Sequence, residues 1–367
     1  MKKQRGKVTV VLGGQAGSEG KGKIAGYLAK KENFQASICN FMPNAGHTWV
    51  ADNGSKIMVQ QLPQAVVNKD SLLLISAGSA IDVDIFLREV DKYDAEHRVL
   101  IHPRAMVVEQ KHKDAEAKAL NRISSTLKGC GYASADKVVR AEGVKLAKDC
   151  PELSRWVLPE TSTIYNHNWY SLMDDLLGGG HDVLVEAPQG FDLDINHGLQ
   201  YPYCTSRQTT TSQVMADAGI PPQSVDEVIA VIRPYPIRVG NVYDENGKMI
   251  GTSGGYRDSK EITWEEVSKR SGMPFEEISE YTTVTGKLRR VFEPNWDRLR
   301  EMCFVNGVTG IALNFANYID YNIQGKTEVS DITPKVRMFI NKVERETGVP
   351  VVLIGTGAKD SEIIDLR

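Results

Sequence analysis

The sequence predicts an α/β fold, with a largely parallel central sheet flanked by helices, on three observations. Short apolar runs recur as candidate strands: Val8–Leu12, Ala36–Asn40, Leu72–Ile75, Val99–Ile101, Val183–Glu186, Val228–Ile232, Gly310–Asn314 and Val351–Ile354. Helical patterns lie between several of them, at Ile81–Tyr93, Glu109–Leu120, Asn295–Val305 and Lys335–Thr347. A glycine-rich turn breaks the first run and ends in two lysines. Strands that alternate with helices are joined by crossovers, so they pair in parallel and are covered on both faces. The last helical pattern meets Gly348 and Pro350, a stop signal that hands the chain to its final apolar run.

At 367 residues the chain can bury a sizeable core. No repeat, low-complexity tract or compositional break marks a linker, so one domain spanning 1–367 is expected. Two aperiodic stretches stand out. Ile123–Asp136 is rich in Ser and Gly and is expected to be a mobile surface loop. Pro188–Thr211 is too long for a mere connector, and loops of that length are usually functional.

A formal charge of −3 leaves no basic surplus for general nucleic-acid affinity, so an anionic ligand must be held by local lysines and arginines. The five cysteines are widely spaced and lack a C-x-x-C pair, which suits a reducing cytosol rather than a disulfide framework or zinc site. Cys204, between a tyrosine and a threonine, is expected to be a small buried filler. The basic N-terminus runs straight into a five-residue strand, too short for a signal-peptide core, and no segment approaches a membrane span. A cytoplasmic protein is expected.

The turn Gly13-Gly14-Gln15-Ala16-Gly17-Ser18-Glu19-Gly20-Lys21-Gly22-Lys23 has the parts of a phosphate cradle: glycines let backbone N–H groups converge, and lysines add charge. It is P-loop-like without being the usual P-loop. Gln15 stands where the first glycine belongs, and Gly22 where Ser or Thr would meet magnesium. Asn44-Ala45-Gly46-His47-Thr48 follows the second strand, where loops face the ligand crevice of a parallel sheet, and its histidine can donate a hydrogen bond or proton. Gln189 can both donate to and accept from a purine edge, while Thr205 and Ser206 suit phosphate oxygens. Thr282–Arg290 gathers three cations and several hydroxyls around a glycine turn, a clamp for carboxylate or phosphate. Gly355-Thr356-Gly357, after the last strand, offers backbone contacts to a second ligand.

Together these motifs resemble the adenylosuccinate synthetases from Val8 to Gly357. That family reads G-x-Q-W-G-D-E-G-K-G-K in its first loop and N-A-G-H-T in its second. It joins L-aspartate to IMP with GTP: the γ-phosphoryl goes to the purine 6-oxygen, and the aspartate amine displaces it. The resemblance implies the following roles. Lys21 meets the transferring phosphoryl group, His47 polarises the 6-oxygen, and the Gly46 carbonyl is a Mg2+ ligand. Gly17, Glu19, Gly20, Gly22, Lys23, Thr48, Asn314, Asn317 and Gly355–Gly357 surround the phosphoryl donor. Asn44, Ala45, Thr126, Gln189 and Thr205 hold the purine monophosphate, and Arg140 reaches the phosphate in a neighbouring subunit, implying a homodimer. Val284, Thr285, Gly286, Lys287 and Arg289 form the aspartate loop, Arg289 also serving the donor. Lys287 replaces an arginine and loses its bidentate fork.

Two further departures bear on substrate choice. The family's catalytic, Mg2+-binding aspartate is Ser18 here, a shorter neutral residue beside purine N1 and C2. It opens room for an exocyclic 2-amino group and can exchange hydrogen bonds with it. The family's T-K-L-D, whose aspartate accepts from guanine, aligns with Asn314-Phe315-Ala316-Asn317, so ATP is the expected donor, with GTP or dATP as further candidates. Ser18 and Ala16, in place of the family's tryptophan, are similar to the phage 2-aminoadenylosuccinate synthetases, which join aspartate to dGMP. The alternatives are an ordinary synthetase using IMP and GTP, a purine-nucleotide-binding regulator without turnover, and, more distantly, a dinucleotide-dependent oxidoreductase.

Overall fold

The computed structural model describes residues 5–119, 123, 125–163, 166–281 and 288–367. Its centre is a nine-stranded sheet in the order Ile363–Asp365, Val351–Gly355, Gly310–Leu313, Val225–Ile232, Val8–Gly13, Val183–Glu186, Ala36–Cys39, Leu72–Ile75, Val99–Ile101. Every neighbouring pair is parallel except the last-formed, where Ile363–Asp365 runs antiparallel to Val351–Gly355. All eight expected strands are present; that edge strand was not foreseen.

Alternation along the strands divides the core between the two faces. Val10, Ala230 and Val185 point to a cluster that includes Trp169, Met215, Leu299 and Ile340 from the helices Trp169–Gly178, Thr211–Ala218, Trp296–Asn306 and Pro334–Thr347. Val11, Ile229 and Val231 point to the opposite cluster, with Ile24 and Leu28 from the helix Lys21–Lys31 and Phe86 and Val90 from Val83–Lys92. Beside the main sheet, the strands Ile237–Arg238, Arg290–Phe292 and Glu261–Ile262 form a small antiparallel sheet over Trp264, Val267 and Ile278.

Two expectations are corrected here. Ile123–Asp136 is not a continuous loop: a helix runs from Cys130 to Val139, entered through Gly129 at φ 76 and anchored by buried Cys130 and Ala133. Apart from Tyr132 its first half is built from small residues, so too few apolar side chains were available to reveal a 3.6-residue period. Cys204 is not fully buried. Burial nonetheless raises its thiol pKa, which favours the protonated form. All five cysteines are free, no group of three or more His, Cys, Asp or Glu among the described residues could hold a metal, and no described helix is long and apolar enough to cross a membrane.

Candidate active site

Three central strands end together. Val11 pairs with Glu186, and Cys39 pairs with Glu186 on its other side, so the loops after Gly13, Glu186 and Cys39 leave the sheet side by side. This is the carboxyl edge of a parallel sheet, where ligands bind in doubly wound folds.

The cradle turns through Gly17 at φ 90, Ser18 at φ 58 and Gly20 at φ 86 before the helix Lys21–Lys31 begins. A side chain on Gly20 would be strained, and its Cβ would also stand 2.6 Å from Asn314 Nδ2. The helix starts with Lys21 and Lys23 and carries no acidic residue in its first turn. Lysine there opposes the helix dipole by a few tenths of a kcal/mol each, so the helix itself gains nothing from the placement. Glu19, fully buried, accepts from the Gln15 and Gly17 backbone N–H groups and from Lys21 Nζ at 3.0 Å. Lys23 Nζ donates to the carbonyls of Gly357 and Glu362, both at 2.6 Å, and burial lowers its pKa to about 7. It fastens the last turn to the first helix. Gly22 lies against the Thr48 backbone, allowing that helix to approach the strand His47–Val50.

His47 is buried edge-on to Phe41, their centroids 4.4 Å apart. Its Nδ1 stands 3.5 Å from Glu186 Oε2, and neither atom has a closer polar partner among the described residues. Burial lowers the His47 pKa against the pull of Glu186. Glu186 is itself fixed by Ser37 Oγ and the Ala65 N–H.

Ser18 Oγ accepts a hydrogen bond from Arg289 Nη1 at 2.7 Å. Its carbonyl accepts from Arg233 Nη1 at 3.2 Å. Arg233 is buried, pairs with Glu280, and lies 4.3 Å from the Phe315 ring centre and 5.6 Å from that of Tyr318. Gln15 holds the Arg233 backbone in both directions. Val284, Thr285, Gly286 and Lys287 lie outside the described residues; the ends of that loop are joined by Tyr281 bridging Leu288 and by Arg289 N–H donating to the Glu280 carbonyl.

Gln189, at φ 54, and Gly190 lie against the cradle, where the Gln15 carbonyl accepts from Asp192 N–H. Thr205 Oγ1 is buried without a partner among the described residues. A Cβ on Gly131 would stand 3.1 Å from that of Ser206, which sets the N-terminus of the helix Cys130–Val139 beside Thr205-Ser206. Asn44, Ala45 and exposed Gly46 precede His47, and exposed Thr126 precedes that helix. Arg140, at φ 56, ends it, exposed beside Val138 and Val139, which are 76 % and 66 % exposed. Five of the seven non-glycine residues with positive φ among those described (Ser18, Leu127, Arg140, Gln189 and Phe315) fall in or next to the motifs singled out above. Such conformations cost on the order of 1–3 kcal/mol each and cluster where function maintains them.

The sequence did not point to Glu186, Arg233 or Glu280. For the first two a signal existed: each is a charged residue ending or immediately following an apolar strand at the ligand edge. Glu280 carried none.

The adenylosuccinate synthetase family model matches residues 10–158 and 159–322. The chain belongs to the adenylosuccinate synthetase family. It is 36 % identical to the adenylosuccinate synthetase of Methanocaldococcus jannaschii over 366 residues, covering 98 % of this chain and 96 % of that one. With that of Archaeoglobus fulgidus it shares 35 % identity over 363 residues, 98 % of each. Among solved structures it is similar to the succinoaminodeoxyadenylate synthetase of cyanophage S-2L, bound to dGMP and to dATP as an energy donor (TM-score 0.81, 30 % identity, 99 % of this chain and 96 % of that one). Fully ligated adenylosuccinate synthetase from Plasmodium falciparum superposes with a TM-score of 0.80 at 19 % identity, over 99 % of this chain and 100 % of that one, and supports the fold. The expected fold, the family and its phage branch are borne out, and the protein is a carbon–nitrogen ligase of the adenylosuccinate synthetase type.

Proposed function

We propose that this synthetase joins L-aspartate to C6 of dGMP with ATP, releasing ADP and phosphate and forming the N6-succinyl-2-amino purine deoxynucleotide. The observation that carries the reading is Ser18, whose neutral hydroxyl meets Arg289 where relatives place a carboxylate. A carboxylate at that point would hold Arg289 as an ion pair and fill the space beside purine C2; the serine hydroxyl holds Arg289 by a neutral hydrogen bond only and leaves that space open. The phage relative was solved with dGMP and dATP, which favours the same pair of nucleotide classes here.

In this reading Lys21 leaves Glu19 for the γ-phosphoryl group, whose transfer to the 6-oxygen turns a poor leaving group into phosphate. The aspartate amine then attacks C6, and the C6–O bond breaks. Positioning and charge stabilisation do most of the work in such transfers. His47, held from behind by Glu186, addresses the 6-oxygen. Gln189 faces the purine, while Asn44, Ala45, Thr126 and Thr205 with the N-terminus of the helix Cys130–Val139 take the monophosphate. Lys287 and Arg289 hold the aspartate carboxylates.

Magnesium fits as an ion carried in on the nucleotide phosphates. The protein oxygens on offer are the Gly46 carbonyl and the Ser18 hydroxyl, a set without a carboxylate, and magnesium commonly keeps water and phosphate ligands beside one or two protein oxygens. Bound there, it neutralises charge on the phosphoryl oxygens. Exposed Val138 and Val139 next to Arg140 suit burial in a homodimer that brings Arg140 to the neighbouring site.

The test is phosphate release and product formation with dGMP and IMP in parallel, each with ATP and with GTP. Preference for dGMP and ATP supports the reading. A preference for IMP returns the protein to the ordinary synthetase activity, and tight nucleotide binding without turnover makes it a regulator.

A further inference from the structure

The turn Ala316–Tyr318 and the turn Gly355-Thr356-Gly357 are bridged by a residue that no motif flagged, Gln324. Its Oε1 accepts from Asn317 Nδ2 at 2.7 Å. Its Nε2 lies against Gly357, where a Cβ would stand 2.6 Å away. Gln324 is exposed, whereas Asn317 is only 5 % exposed. The Gln324 backbone is fixed between its own N–H, which donates to the Tyr321 carbonyl, and Gly325 at φ 70.

This arrangement uses half of each amide. Asn317 commits its nitrogen to Gln324, and its Oδ1 is buried without a partner among the described residues. Gln324 commits its oxygen and keeps Nε2 as a donor that no described protein group accepts. What remains is one acceptor and one donor on two side-chain amides that are themselves hydrogen-bonded. A 6-amino purine offers the complement, N6–H to be accepted and N1 to receive a hydrogen bond. A 6-oxo purine in the same seat sets oxygen against oxygen and N1–H against N–H.

We propose that Gln324 is a specificity-determining residue: by holding the Asn317 nitrogen it turns the Asn317 oxygen to the base and, with its own Nε2, selects an adenine over a guanine phosphoryl donor. The inference rests on the assignment of this pocket to the donor nucleotide, but not on turnover.

The experiment measures binding of ATP and GTP by calorimetry to the full-length wild type, to Gln324→Glu and to Gln324→Met, with turnover assayed separately. Gln324→Glu keeps the acceptor for Asn317 and replaces the free donor with an acceptor. It is expected to move the ATP:GTP affinity ratio toward GTP by roughly 10-fold or more. Its charge comes near Glu362, which also lies against Gly357. Gln324→Met adds none and is expected to bring the ratio toward unity by releasing Asn317. A ratio unchanged within twofold in both folded variants overturns the proposal. Loss of all turnover in the wild type, with the affinity ratio shifting as stated, would instead count against the synthetase reading while supporting this one.

Discussion

Restoring the acidic residue, Ser18→Asp, is the most direct perturbation of the proposed substrate choice. The backbone at position 18 has φ 58, a conformation aspartate tolerates better than serine, so the variant is expected to fold at least as well. The new carboxylate would face Arg289, whose guanidinium now donates to Ser18 Oγ at 2.7 Å. Two unit charges about 4 Å apart attract by about 4 kcal/mol at an effective dielectric of 20. Ser18 is exposed, and solvent screening cuts such a pair to roughly 1 kcal/mol or less. The larger effect falls on the purine. A 2-amino group that loses its space and its hydrogen-bond partner costs about 1–3 kcal/mol, which is roughly 5- to 150-fold in kcat/KM. Hypoxanthine lacks that group and is spared. Holding Arg289 against residue 18 should also raise KM for aspartate. The assay is ADP and phosphate release with dGMP and IMP in parallel at saturating donor, beside a thermal melt. If dGMP:IMP selectivity stays within twofold of wild type in a folded variant, residue 18 does not choose the purine and the reasoning fails.

Glu186→Gln should lower kcat by about 10-fold or more with KM for the purine nucleotide little changed, since Glu186 positions His47. Because Glu186 raises the His47 pKa against burial, the alkaline limb of the pH–rate profile, where a protonated His47 donor is lost, should move to lower pH; an unmoved profile refutes the pairing. Lys23, lowered by burial to about 7, is disfavoured as a cation in the folded chain. Above that pH the unfolded chain still binds the proton and the folded one does not, so stability should rise with pH by up to about 1.4 kcal/mol per unit between roughly 7 and 10. The melting temperature of wild type relative to Lys23→Met should climb across that window, and a flat difference contradicts the assignment. Arg140→Ala and Lys21→Ala should each be inactive alone, yet regain activity when mixed if Arg140 serves the neighbouring subunit; no recovery on mixing, with dimers present, removes Arg140 from the site.

The strands were legible because most carry the run of Val, Ile and Leu that a parallel interior demands, and because turns punctuate them. Helices with a wide apolar stripe, such as Val83–Lys92, were legible for the same reason. Cys130–Val139 was not: it buries only Cys130 and Ala133, in a small cluster with Met42, Ala80, Met106 and Val108, too few apolar positions to show a period. The cradle and the N-A-G-H-T loop announced themselves through glycines beside charge. Gln324 could not, because its partners are Asn317, seven residues away, and Gly357 on the neighbouring turn. An exposed glutamine acquires meaning only when folding sets its amide against theirs.

Arg233 gives the two departures from the family pattern a common mounting. One face of its guanidinium stacks on Phe315, next to the turn carrying Asn317; its N–H groups grip the Ser18 carbonyl and Glu280. In the proposed reading, donor seat and acceptor seat are thereby joined through a single buried side chain. A substitution that moves Arg233 at one end is therefore expected to disturb the other, so that retuning either nucleotide carries a constraint from its neighbour.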